Sequence, residues 1–167
     1  MTPMAPTRPT SSTVSPIPRM CRVRLAAGLA AAKAARTVVE TTIRAWRVPV
    51  DPDVAVLLTS ELVSNAVTHG AGEARNAGGF VTLAIAYSAA ELRVDVHDRS
   101  GDLPLLEVAP AEAETGRGLL LVTSLSAEWG FYRTPMGKAV YFTLEFPPDA
   151  HEIVSEGPDE SFSRSVS

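Results

Sequence analysis

The 167-residue sequence has one cysteine, three histidines and no uninterrupted apolar run of the length a membrane span needs. A lone Cys21 cannot close an internal disulfide, so the fold has to stand on packing and suits a reducing compartment, the cytoplasm. Three scattered histidines beside one cysteine give no recognisable zinc spacing. The formal net charge is -4 and the lysines and arginines form no cluster, which argues against direct nucleic-acid binding by phosphate neutralisation. The stretch "CRVRLAAGLAAAKAA" has the basic, apolar and small residues of a secretory signal. Its apolar character is weak, Lys33 and Arg36 interrupt its end, and it runs on into an amphipathic helix, so it is read as part of the fold.

What is present suits one soluble domain: 46% hydrophobic residues with 20% charged supply enough apolar mass for a core. Residues 1–19 are rich in Pro, Ser and Thr, and ordering them would cost entropy that burial cannot offset. Residues 147–167 are similarly polar and proline-punctuated. Both are expected to be disordered, flanking a domain over 20–146.

Within that domain "RVRL" is a possible short strand. Ala32, Val39, Ile43 and Trp46 then recur at near-helical spacing until "RVPVDPD". Asp51 followed by Pro52 is a good helix start, with the acid as N-cap and proline at the first helical position. Ala55, Leu58, Leu62 and Ala66 make the apolar stripe of that second helix. "FVTLAIAYS" and "LRVDVHD" read as a β-hairpin turned near "AAE". From Arg99 to Thr115 no period is visible, and a loop of that length in a compact domain is commonly functional. "GRGLLLVTSL" reads as a third helix, and "AEWGFYRTPMGKAVYFTLEF" as two strands turned around Pro135 to Gly137. This order implies an α+β fold, helices layered on one face of a mostly antiparallel sheet. Trp46 and Trp129 are expected to be core anchors.

Three features carry chemistry. In "SELVSNAVTHG", Glu61 and Asn65 are one helical turn apart at the edge of the apolar stripe. A neutral oxygen donor such as Asn65 suits a hydrated Mg²⁺ that takes further oxygens from phosphate, and the neighbouring carboxylate can act as general base. The isolated pattern is also that of an ordinary solvated helix edge. In "VHDRSGDLP", Asp98 ends a strand whose Leu92, Val94 and Val96 mark a buried face, so its carboxylate can accept from a ligand amine in a pocket, or cap a turn. In "ETGRGLLLV", Gly116 and Gly118 at a helix start let backbone N–H groups approach an anion. Other phosphate motifs fit worse: Leu121 replaces the third glycine of a dinucleotide fingerprint, and Gly137-Lys138-Ala139 is no P-loop. His97 alternates away from Asp98 along its strand and is no catalytic partner for it.

In this order the three features resemble the boxes of the GHKL (Bergerat-fold) ATPase and kinase superfamily, which includes gyrase and the histidine kinases. Within it the chain is most similar to the anti-sigma-factor serine/threonine kinases. "SELVSNAVTHG" resembles the N box, "VDVHDRSGDLP" the first glycine box and "TGRGLLLVTSLSAEWGF" the second. The resemblance implies a two-layer α/β sandwich with a mixed, mostly antiparallel sheet, and ATP held under a lid formed by the long loop. It implies Asn65 as Mg²⁺ ligand, Glu61 as base and Asp98 as partner of the adenine amine, with Gly101 in the same box. Gly116, Arg117 and Gly118 would border the triphosphate, and His69, one turn beyond Asn65, can line the pocket.

The pattern departs from the superfamily at two places. Ser100 and Asp102 stand at glycine positions of the first box, and Lys138 and Ala139 stand where the family often has threonine; Lys138 would bring a positive charge near phosphate. No phosphoacceptor-histidine helix, receiver or sensor segment precedes the domain, so a histidine-kinase output role is not expected. The resemblance implies a regulator that binds a sigma factor, phosphorylates a small anti-sigma-factor antagonist protein, and is a possible homodimer. The alternatives are an ATP-dependent binding module without phosphotransfer, and a slow ATPase without a protein substrate.

Overall fold

The computed structural model describes residues 18–70, 79–100 and 117–147. The arm and tail expected at the termini, and the long loop beyond Ser100, lie outside the described residues. The elements run β1 (Arg19–Ala26), α1 (Ala31–Trp46), α2 (Pro52–Gly70), β2 (Phe80–Tyr87), β3 (Glu91–Asp98), α3 (Arg117–Leu125), β4 (Glu128–Thr134) and β5 (Gly137–Glu145). The five strands form one sheet in the order β1-β2-β3-β5-β4. All its pairings are antiparallel among the described residues, in keeping with the α+β fold and mostly antiparallel sheet expected. No described helix is long and apolar enough to cross a membrane.

Alternation along the strands separates the two faces of the sheet. Leu83 and Ile85 of β2, Leu92, Val94 and Val96 of β3, and Val140, Phe142 and Leu144 of β5 face the helices and are buried with them in one core. Each such side chain stabilises the fold by about 1.5–3 kcal/mol through the water-exposed area it removes. Trp46 and Trp129 are only half-buried, packed against the rim of that core.

The first helix buries Ala31, Ala35, Val39 and Ile43, a stripe one residue removed from the Ala32 and Trp46 ends expected from spacing. Both readings pass through Val39 and Ile43, and the alanines at the front decide between them because α1 packs closely along α2. The C-cap Arg47 has φ 53° and ψ 45°, a left-handed conformation usual for glycine. Val48 N–H donates to Ile43 C=O at 3.0 Å across it, which satisfies an end carbonyl and holds Arg47 in place.

The second helix starts as its sequence requires: Asp51 Oδ1 accepts from Asp53 N–H at 2.9 Å. It is buried over a wide arc by Ala55, Leu58, Leu62, Val63, Ala66 and Val67, because α1, α3 and the sheet all pack on it. Thr59 and Ser60 fall inside that arc and return their hydroxyl protons to Ala55 and Val56 carbonyls at 2.7 and 2.9 Å. These internal bonds let polar residues be buried without orphaned donors.

Two tight turns complete the sheet. Ser88 Oγ accepts from the amides of Ala90 and Glu91, both at 3.3 Å, at the β2–β3 turn. Pro135 and Met136 join β4 to β5, and Gly137 takes φ +149°. A Cβ at Gly137 would be 2.7 Å from Arg99 Cα and 2.8 Å from Arg99 C, so this glycine allows β5 to approach the end of β3.

The caps of α1 and α2 generate opposite expectations for stability. Arg47→Gly removes a left-handed non-glycine residue and should raise unfolding free energy by about 0.5–1 kcal/mol. Asp51→Ala should lower it by about 1 kcal/mol. Denaturant midpoints at unchanged slope would show both, and an Arg47→Gly variant that is less stable would refute the strain assigned to the cap.

Candidate nucleotide site

Glu61 and Asn65 are both half-buried, at the margin between the packed arc of α2 and its exposed strip at Ser64 and Thr68. At i and i+4 their Cβ atoms are neighbours, roughly 6 Å apart in any α-helix. The first turn of α3 closes over them. Gly118 is buried against Glu61: a Cβ there would meet Glu61 Cβ and Cδ at 3.3 Å and would collide with Oε2. Glycine at 118 is therefore a steric requirement of this approach, and it aligns the start of α3 with the carboxylate. Leu119 and Val122 anchor that alignment by burial.

Arg117 opens α3, and His69 is in the last turn of α2. Gly101 and Gly116 lie outside the described residues.

At the sheet, Asp98 ends β3 on the helix-facing side in the same alternation as Val94 and Val96, and it is 4% exposed. Its Oδ1 accepts from Ser100 N–H at 2.8 Å, a short turn that fixes the carboxylate. Lys138 is its register partner on β5 and is also buried, at 6%. Lys138 Nζ is 3.3 Å from Asp98 Oδ2 and donates to Ser100 Oγ. The Oδ2 contact lacks hydrogen-bond geometry, so Oδ2 is a buried carboxylate oxygen with no hydrogen-bond partner among the described residues. The lysine charge expected near phosphate is thus paired at Asp98. Ser100, a departure from the glycine pattern, is the third member of this cluster.

The residues fit an Mg-nucleotide in two respects. Oδ2 of Asp98 has no hydrogen-bond partner among the described residues and suits a base N–H, and Gly118 lets the start of α3 lie directly against the Glu61 carboxylate. No group of three or more His, Cys, Asp or Glu able to hold a metal occurs among the described residues. An Mg²⁺ at Asn65 would accordingly draw most of its oxygens from phosphate and water.

The opposite face of the sheet holds a network the sequence did not announce. Arg93 donates to both Asp95 oxygens, at 2.9 and 2.8 Å, and Tyr132 OH donates to Asp95 Oδ1 at 3.1 Å. The bond to Asp95 raises the Arg93 pKa, and burial raises that of Tyr132. The Arg93 guanidinium also stacks 3.7 Å from the Tyr141 ring centroid. A cavity of about 290 Å³ opens on this side, lined by Arg22, Thr82, His97 and Thr134, with Asp98 at its margin. His97 faces it, away from the helix side as alternation predicted, and burial lowers its pKa. The only signal in sequence was the alternate-register set Arg93, Asp95 and His97; its partners on β4 and β5 required the strand order.

Comparison with known proteins agrees with this architecture. No curated protein matches the chain significantly. Among solved structures, the chain is similar to the RsbU and RsbW domains of Rv1364c from Mycobacterium tuberculosis, with a TM-score of 0.56 and 22% identity. The match covers 77% of this chain and 33% of that one, so the chain spans about a third of the length of that structure's chain. Residues 25–144 match the model of the histidine kinase-like ATPase domain. That match takes in the three described helices and strands β2 to β5 with only the end of β1, has Glu61, Asn65, Asp98 and Gly118 inside it, and the chain belongs to the histidine kinase-like ATPase domain family.

Proposed function

We propose that the chain binds Mg-ATP between α2, α3 and the end of β3, and transfers the terminal phosphoryl group to a serine or threonine of a small antagonist protein, controlling a sigma factor. The observation that carries this reading is the packing of Gly118 onto Glu61, one turn from Asn65. It joins a carboxylate, a neutral oxygen donor and a helix N-terminus, the set that phosphoryl transfer needs for positioning and charge stabilisation. The likeness to a structure containing an RsbW domain supports the same fold for this reading.

In this reading Asn65 would hold an Mg²⁺, which would supply charge neutralisation at the phosphates. The amides at the start of α3 face the phosphate. Glu61 accepts the proton of the attacking hydroxyl, and Asp98 Oδ2 accepts from the adenine amine. Localisation in the cytoplasm and homodimerisation belong to the same proposal.

A second reading is an ATP-dependent binding module without phosphotransfer. Lys138 on Asp98 favours it, because the base acceptor already has a charged neighbour that a nucleotide must accommodate.

Calorimetric titration with ATP separates these from no nucleotide function at all. Binding should require Mg²⁺, and Asn65→Ala should weaken it about ten- to hundredfold, the value of one charge-assisted contact. Binding that is indifferent to both would remove Asn65 as metal ligand. Glu61→Gln should leave ATP affinity within a few-fold and lower phosphoryl transfer to a cognate antagonist by about 10²–10⁴. Undiminished transfer would exclude Glu61 as base, and no transfer by the wild type would favour the binding module. Gly118→Ala should displace Glu61 and cost about 1–3 kcal/mol in stability; a neutral effect in thermal unfolding would contradict the tight α2–α3 contact.

A further inference from the structure

The Asp98–Lys138 pair gives this site a different base-reading surface from a lone carboxylate. The two residues are register partners on adjacent strands, both buried and both on the helix side. Gly137 brings β5 against the end of β3, and Ser100 ties to both side chains, donating its amide to Asp98 and accepting from Lys138. The result is an acceptor, Asp98 Oδ2 without a hydrogen-bond partner among the described residues, 3.3 Å from a donor, Lys138 Nζ.

Purine edges differ in the order of the same two functions. Adenine presents its 6-amino donor beside the N1 acceptor. A 6-oxo purine, guanine or hypoxanthine, presents the O6 acceptor beside the N1–H donor. A lone carboxylate accepts from the adenine amino group or from a 6-oxo N1–H, but it leaves N1 of adenine or O6 of the 6-oxo edge without a partner. A carboxylate with an ammonium beside it satisfies either edge: Asp98 takes the amine and Lys138 faces N1, or Lys138 donates to O6 and Asp98 accepts from N1–H. In either mode Asp98 and Lys138 stay adjacent, each charge keeping its counter-charge while it takes a partner on the base.

We propose that Lys138 is a specificity-determining residue that admits 6-oxo purine nucleotides to the site alongside adenine nucleotides. This rests on the reading of Asp98 as the base acceptor given above. The chemistry remains that of a purine nucleoside triphosphate, and the base preference is what Lys138 changes.

The test is equilibrium titration of the full chain with ATP, ITP and GTP in Mg²⁺, repeated on Lys138→Met and Lys138→Gln. The wild type should bind ITP and GTP within about tenfold of ATP. Lys138→Met, which keeps the length and loses the donor, should weaken ITP and GTP at least about tenfold relative to ATP. Lys138→Gln, which keeps a donor without the charge, should preserve the ratio better than Met. A wild type that prefers ATP by more than about tenfold overturns the proposal, as does a ratio unchanged in a folded Lys138→Met. Thermal unfolding checks the variants; should Lys138→Met fail to fold because Asp98 is stranded, the wild-type ratio decides by itself. ATP binding without a 6-oxo purine sinks only the role of Lys138. Failure of all three nucleotides sinks the nucleotide site and this role together.

Discussion

The arrangement of the candidate site depends on how α2 is held. Both other described helices and three strands of the sheet pack on it, so it buries a far wider arc than a surface helix does. That packing leaves a narrow margin on which a polar side chain is half-sheltered, and Glu61 and Asn65 occupy it. The same packing brings the first turn of α3 within reach of Glu61, where only glycine at 118 leaves room. A carboxylate there meets Gly118 at the start of α3, and its environment is set by close-packed neighbours.

The sheet contributes the second pole of the site through strand order. Because β5 inserts between β3 and β4, Lys138 becomes the neighbour of Asp98 although they are far apart in sequence. Burying either charge alone would be costly, and as a pair with Ser100 they compensate one another. The compensation is incomplete at Oδ2, and a buried acceptor left without a hydrogen bond in an otherwise satisfied cluster is the kind of position at which a ligand donor gains most. The two faces of the sheet thereby have distinct polar centres, Asp98 with Lys138 inside and Asp95 with Arg93 and Tyr132 outside, separated by the alternation of one strand.

Membership of a family of ATPase domains makes an ATP site the natural content of this cleft. Membership does not set the details at 100 and 138, where this chain carries serine and lysine. Those residues act together in the structure, since Lys138 donates to Ser100. Seen singly in sequence they are two departures from a pattern; in the fold they are one coupled feature around Asp98.

The sequence by itself determined what short-range physics controls. Asp51-Pro52 specified where α2 begins, the alternation of Leu92, Val94 and Val96 specified which side of β3 is buried, and the four-residue spacing of Glu61 and Asn65 put them on one face. The Pro135–Gly137 turn was legible for the same reason, because residues that restrict or free φ act locally. Tertiary structure decided the contacts between distant segments: Gly118 on Glu61, Lys138 beside Asp98, and Arg93 and Tyr132 around Asp95. Those depend on strand order and on the depth at which helices pack, which are set by the summed burial of many residues and leave no mark in any one stretch of chain.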